Sequence, residues 1–115
     1  MPAFTWNAVS AVLAVHDLEA AEEWYARWLG PPTVRPTPTV LEWVIAPSAW
    51  LQVVASPAAA GHTSAVLGVG DLRAGVTTLT GLGLEPGEVE DIPGIIRLSA
   101  LRDPDGNTIS LVEEL

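Results

Sequence analysis

The sequence predicts an α+β fold made of two tandem βαβββ modules that share one cleft, and three observations carry that expectation. The first is an internal repeat. Ser10-Ala11-Val12-Leu13-Ala14-Val15-His16-Asp17-Leu18-Glu19-Ala20 aligns without gaps on Ser64-Ala65-Val66-Leu67-Gly68-Val69-Gly70-Asp71-Leu72-Arg73-Ala74, with eight identities in eleven positions at an offset of 54. Second, each copy passes from a Val/Leu-rich run through an aspartate into a helical pattern. Third, three short β-type segments punctuated by turn residues follow each helix. Two copies nearly fill the 115 residues, too few for two independent cores. The chain therefore reads as a single domain, 1–115, with module one at about 5–57 and module two at about 62–115.

In module one the first strand ends at Asp17, whose carboxylate suits the free N–H groups of a first helical turn. The helix spans about Leu18 to Leu29, with Leu18, Ala21, Trp24, Tyr25, Trp28 and Leu29 on one face at three- and four-residue spacing. Gly30 and Pro31-Pro32 stop it. Strands are expected at about Thr33 to Arg35, Leu41 to Ile45 and Trp50 to Val54, with Pro47-Ser48 as a turn. Pro57-Ala58-Ala59-Ala60-Gly61 reads as the linker. In module two the helix runs from about Leu72 to Leu82; its threonines and Gly75 make it a poor intrinsic helix that needs tertiary packing. Strands follow at about Glu88 to Glu90, Ile95 to Leu101 and Thr108 to Val112, with Asp103-Pro104-Asp105-Gly106-Asn107 as the last turn. One helix covers one face of each module's strands, so the opposite faces are left to line a common concavity.

Composition narrows the chemistry. Five arginines and no lysine stand against fourteen carboxylates, a formal charge of −9, and cysteine is absent. Schiff-base and P-loop chemistry, thiol nucleophiles, thiolate zinc sites and disulfides are excluded. An acidic surface repels phosphate backbones and anionic membranes, so the expected partner is a neutral or cationic small molecule, with no nucleic acid and no membrane. No run of eighteen apolar residues occurs, and the start lacks the pattern of a secretion signal, so a cytoplasmic location is expected.

The Leu13-Ala14-Val15-His16-Asp17-Leu18 segment, the Trp24-Tyr25 pair followed by Leu29-Gly30, the repeat itself and the Asp103-Pro104-Asp105-Gly106-Asn107 turn before an apolar strand together resemble the vicinal oxygen chelate superfamily, the glyoxalase/bleomycin resistance/dioxygenase group. The resemblance covers essentially the whole chain. It implies a cleft in which enzymatic members hold a divalent metal by His and Glu side chains from the first and last strands of each module. Carried onto this sequence, those positions are Ser10, Gln52, Ser64 and Ser110, none of them an imidazole or a carboxylate. Neutral hydroxyls and one amide are poor ligands for a divalent ion, so neither a metal nor another cofactor is expected. His16 beside Asp17 reads as an exposed turn residue and His62 as a surface residue. Glu42 and Glu113, carboxylates near strand ends, and His62, on the strand parity of Ser64, leave a non-standard site open.

Strand alternation from Ser10 and Ser64 sends Ala8, Val12, Ala14, Val66 and Gly68 into the cleft, and Leu13, Val15, Leu67 and Val69 under the helices. The same alternation sends Trp50, Gln52 and Val54 inward. A two-residue loop at Pro47-Ser48 puts Trp43 opposite Gln52. From Ser110 the inward set is Thr108, Val112, Ser99, Arg97 and Leu101. The candidate ligand-binding residues are thus Trp43, Trp50, Gln52, Arg97, Ser99, Ser10, Ser64 and Ser110; catalytic residues are not assigned. Trp24 and Trp28 read as core, Trp43 and Trp50 as core or as stacking surfaces for a planar or cationic guest.

Three functions remain open. The first is a metal-free protein that sequesters an aromatic or cationic compound, as the resemblance to the bleomycin-resistance branch, an antibiotic-binding group, implies. The second is a lyase, isomerase or dioxygenase of the same superfamily working through non-standard residues, with or without a metal. The third is an interaction module. The resemblance also implies a homodimer.

Overall fold

A computed structural model describes residues 2–115. Its elements in chain order are β1 (Val9–Val15), α1 (Leu18–Leu29), β2 (Val34–Thr37), β3 (Val40–Ala46), β4 (Ala49–Ala55), β5 (Ser64–Gly68), α2 (Leu72–Gly81), β6 (Glu90–Ile92), β7 (Ile96–Arg102) and β8 (Thr108–Glu114). This is βαβββ twice, as the repeat predicts. The strands form two four-stranded sheets, ordered β1-β4-β3-β2 and β5-β8-β7-β6. In each sheet the first strand pairs in parallel with the last and the other pairs are antiparallel.

Both helices start as their aspartates dictate. Asp17 accepts from the N–H groups of Glu19 and Ala20, and Asp71 from that of Ala74. Gly30 ends α1 at φ 77°, a backbone conformation that glycine adopts without steric cost. In α2 the hydroxyls of Thr77, Thr78 and Thr80 fold back onto the carbonyls of Arg73, Ala74 and Val76, and Leu72 and Leu79 hold the helix down on its sheet. No helix among the described residues is long and apolar enough to cross a membrane.

Alternate strand residues, Leu13, Val15, Leu41, Trp43, Leu51, Val53, Ala65, Leu67, Leu101, Ile109 and Leu111, join Tyr25, Leu72 and Leu79 in one buried cluster that runs through both modules. The modules meet at the free edges of β1 and β5 and are clamped there by polar side chains. Asn107, fully buried, donates through Nδ2 to the Ala14 carbonyl (2.7 Å) and accepts through Oδ1 from the Thr63 amide (3.1 Å) and hydroxyl (2.6 Å). Thr63 Oγ1 in turn accepts from Ala14 N at 3.0 Å. Asp103 receives the Tyr25 hydroxyl at 2.7 Å, and Asp105 receives His16 Nδ1 at 2.8 Å. The linker is more closely packed than its small, unpatterned sequence implies. Ala60 is buried, and Gly61, at φ +81°, lies so close to the Asp105 carbonyl that a Cβ there would stand 2.5 Å from the oxygen.

Candidate functional site

The faces of the two sheets turned away from the helices carry the candidate site. β1 presents Ser10 and Val12 there, β4 Trp50, Gln52 and Val54, and β3 Glu42 and Val44. From the second sheet come Ser64, Val66 and Gly68 on β5 and Thr108, Ser110 and Val112 on β8, with Leu98, Ala100 and Arg102 on β7. The registers bring Ser10 beside Trp50, Val12 beside Gln52, and Val66 beside Ser110. Beside β1 and β5 a cavity of about 430 Å³ is lined by Ser10, Trp50, Val66 and Gly68, with Ile45 and Ala46 on one side.

Three of the eight candidate ligand-binding residues lie elsewhere. Trp43 is not opposite Gln52: it pairs with Leu51 and is 2% exposed, its indole Nε1 donating to the Gly30 carbonyl at 2.9 Å and its ring 5.9 Å from that of Tyr25. The cause is a register shift between Val44 and Ala46, where an extra residue on β3 reverses the facing of everything before it. Glu42 takes the open-face position instead and accepts a hydrogen bond from the Gln52 side-chain amide.

Ser99 and Arg97, together with Leu101, also face the helix side. Arg102 pairs with Thr108, so the last turn is five residues long and Ala100, not Ser99, lies opposite Ser110. Ser99 is 2% exposed and donates to the Gly87 carbonyl at 2.7 Å, which satisfies a hydroxyl placed among apolar neighbours. Arg97 binds Asp91 through Nε (2.8 Å) and Nη2 (3.2 Å) and approaches Glu113. The hydrogen bond from Arg97 holds the Asp91 carboxyl below its ordinary range. Glu113 accepts from the Leu72 amide at 2.9 Å, fixing the start of α2 on the helix side.

The remaining tryptophans divide by exposure. Trp24 and Trp28 pack in T-shaped contact on α1, at a ring separation of 5.9 Å. Trp28 Nε1 is buried without a hydrogen-bond partner among the described residues. Trp6 is 74% exposed and contacts the exposed ring of Phe4. The Tyr25–Asp103–Asn107–Thr63 clamp was not assigned from sequence. Its trace was there to read, in a tyrosine on the apolar helix face and a closing turn of Asp and Asn.

Comparison with solved structures fixes the family. The chain is 33% identical to a glyoxalase/bleomycin resistance protein from Catenulispora acidiphila DSM 44928, over 94% of this chain and 98% of that one, with a TM-score of 0.85. This chain belongs to the glyoxalase/bleomycin resistance protein family. That places it in the vicinal oxygen chelate superfamily. It also shares the fold of TnmS3, an antibiotic binding protein from Streptomyces sp. CB03234 (22% identity, all of both chains, TM-score 0.83). A third likeness is to a bleomycin-binding protein complexed with bleomycin (19% identity, 96% of this chain and 100% of that one, TM-score 0.78). No protein-family model and no curated protein matches the chain.

A glyoxalase/bleomycin resistance fold implies a test for metal. At the four positions that carry ligands in its enzymes, this chain offers the hydroxyls of Ser10, Ser64 and Ser110 and the amide of Gln52, already bonded to Glu42. That set supplies neither imidazole nor charge, and it does not fit a divalent cation. Among the described residues no three His, Asp or Glu side chains gather closely enough to hold an ion. His16 is committed to Asp105 and Glu113 to the Leu72 amide, and His62 is exposed just after the linker.

Proposed function

We propose that this member of the family binds a small molecule on the uncovered sheet faces and sequesters it without metal chemistry. The observation that carries the reading is the substitution of Ser10, Gln52, Ser64 and Ser110 at the ligand positions, while Trp50 and the adjoining cavity of about 430 Å³ remain on the same face. Volumes of this order suit small organic guests, and such sites combine apolar walls with a few placed polar groups. Trp50 supplies a flat apolar surface. Gln52 and the serines supply hydrogen bonds, and Glu42 adds a negative charge that favours a cationic or donor-rich aromatic compound. The names of two structural neighbours, an antibiotic binding protein and a bleomycin-binding protein, support the same direction.

The open faces also favour a second copy as partner. Val12, Val44 and Val66 are 44, 48 and 71% exposed, an apolar lining that one chain leaves wet. A homodimer would cover those faces and deepen the site. One observation favours catalysis instead: Glu42 is a carboxylate on the open face within reach of a bound guest.

Calorimetry with bleomycin and a panel of polycyclic aromatic natural products tests the reading, with Trp50→Ala and Gln52→Ala as controls. The expected result is saturable binding that each substitution weakens, with the ligand recovered unchanged. Turnover abolished by Glu42→Gln would favour the enzyme. A stoichiometric, tightly held divalent ion after purification without chelator would overturn the metal-free reading.

A further inference from the structure

We propose a second small-molecule site apart from the cavity beside Trp50, where α1 of module one meets the end of β7 in module two, and that it takes an aromatic anion: a carboxylate or phosphate carried on an aromatic ring. A cavity of about 470 Å³ lies there, lined by Trp24 and Arg27 of α1, by Arg102 and by the loop around Glu85. Trp24 and Arg27 are one helical turn apart and share a face. Arg102, the last residue of β7, approaches from the other module.

Charge gives the cavity its chemistry. The chain has five arginines against fourteen carboxylates, and of the arginines Arg73, on α2, lies outside this cavity. Arg35 has Glu22 and Arg97 has Asp91. Among the described residues neither Arg27 nor Arg102 has a carboxylate within 4.0 Å, and both line this one cavity. Asp103 also borders it, but its carboxylate is already committed. One oxygen accepts from the Asp105 and Asn107 amides and the other from the Tyr25 hydroxyl and the Asn107 side chain. Glu85 is exposed and is the carboxylate left to compete.

Guanidinium groups present paired N–H donors that match a carboxylate or a phosphate, and an indole accepts the attached ring. Trp24 is fixed for that purpose by T-shaped contacts with Tyr25 (4.7 Å) and Trp28 (5.9 Å). Ala100 and Arg102 belong also to the open face of the second sheet, but none of Ser10, Glu42, Trp50, Gln52, Ser64 and Ser110 lines this cavity, so its failure would leave the proposed function untouched, and the reverse also holds.

Phenyl phosphate titrated into isotope-labelled protein tests the proposal through the tryptophan indole N–H resonances, with the Trp24 signal identified by Trp24→Phe. Saturable movement of the Trp24 resonance is expected. Arg27→Gln and Arg102→Gln should each weaken binding about tenfold, the loss of one charged hydrogen-bonded contact, while both variants keep the parent melting temperature. Glu85→Gln should tighten it. Phenol and inorganic phosphate, each half of the probe, should bind at least about tenfold more weakly than the whole. No saturation, indifference to both arginine substitutions, inorganic phosphate binding as tightly as phenyl phosphate, or movement of Trp50 in place of Trp24 would each overturn the proposal.

Discussion

The hydroxyl of Tyr25, on the helix of module one, donates a 2.7 Å hydrogen bond to the carboxylate of Asp103, in the last turn of module two. Tyr25 is fully buried and Asp103 is 4% exposed, so the bond is shielded from competing water. Tyr25→Phe should remove about 1.5–3 kcal/mol of stability, the usual worth of a hydrogen bond to a charged group, visible as a lower urea midpoint.

Tyr25 is the chain's only tyrosine, so its phenolate absorbance reports this group alone. Burial first, and then the hydrogen bond to Asp103, push its pKa above the ordinary value of 10.0. The folded state therefore holds the phenolic proton more tightly than the unfolded state does. That contribution is complete below pH 10 and is lost as the pH climbs beyond it. In alkali the phenolate signal should rise together with unfolding, and Tyr25→Phe should flatten the alkaline fall in stability. A phenolate that titrates at its ordinary value in a chain still folded would contradict the assignment.

Asn107→Ala strips the Ala14 carbonyl and the Thr63 amide of their shared partner at the module boundary. Two buried groups left unpaired should cost about 2–5 kcal/mol. Hydrogen exchange at the Thr63 amide should accelerate by more than it does at sites inside either sheet. Uniform acceleration would mean that the boundary is no weaker than the modules themselves.

Gly61→Ala should destabilise more than a surface glycine replacement does. The new Cβ would meet the Asp105 carbonyl at 2.5 Å in a backbone region that disfavours side chains. A cost above about 1 kcal/mol in thermal or urea unfolding is expected. An unchanged midpoint would show that the linker yields easily.

Trp43 and Trp50 separate packing from recognition. Trp43→Phe loses the bond to the Gly30 carbonyl and core volume, so it should lower stability and leave ligand affinity within about twofold of the parent. Trp50→Ala should do the opposite, with a small stability change and a clear loss of affinity. Equal effects of the two on binding would refute this division of labour.

The architecture was legible because it is written twice. A repeat of strand, aspartate cap and helix fixes β1, α1, β5 and α2; burial of Leu13, Val15 and Leu67 follows from alternation, and that of Ala21 and Tyr25 from helical spacing, while Val69 is only partly buried. Site facing was half legible. Ser10, Ser64, Gln52, Trp50 and Ser110 lie on the uncovered faces, while Trp43, Arg97 and Ser99 do not. The difference lies in counting across hairpins. One extra residue near Ile45 exchanges Trp43 for Glu42, and nothing in Trp43-Val44-Ile45-Ala46 marks the bulge. In β7 the count from Ser110 across the turn Asp103 to Asn107 lands on Ala100 and not on Ser99, and Gly87, Asp91 and Glu113 supply the partners that allow Ser99 and Arg97 on the helix side.

The two halves close their final hairpins unequally: Pro47-Ser48 joins β3 to β4, whereas five residues, Asp103 to Asn107, join β7 to β8 and brace the boundary with α1. The repeat is thus tied to α1 by side-chain hydrogen bonds at one of its two ends. Residues inserted between Ala46 and Ala49 are expected to reshape the gap beside Ser10 and Trp50 while the hydrogen bonds of the Asp103 to Asn107 turn stay intact, because the two turns share no contact residue.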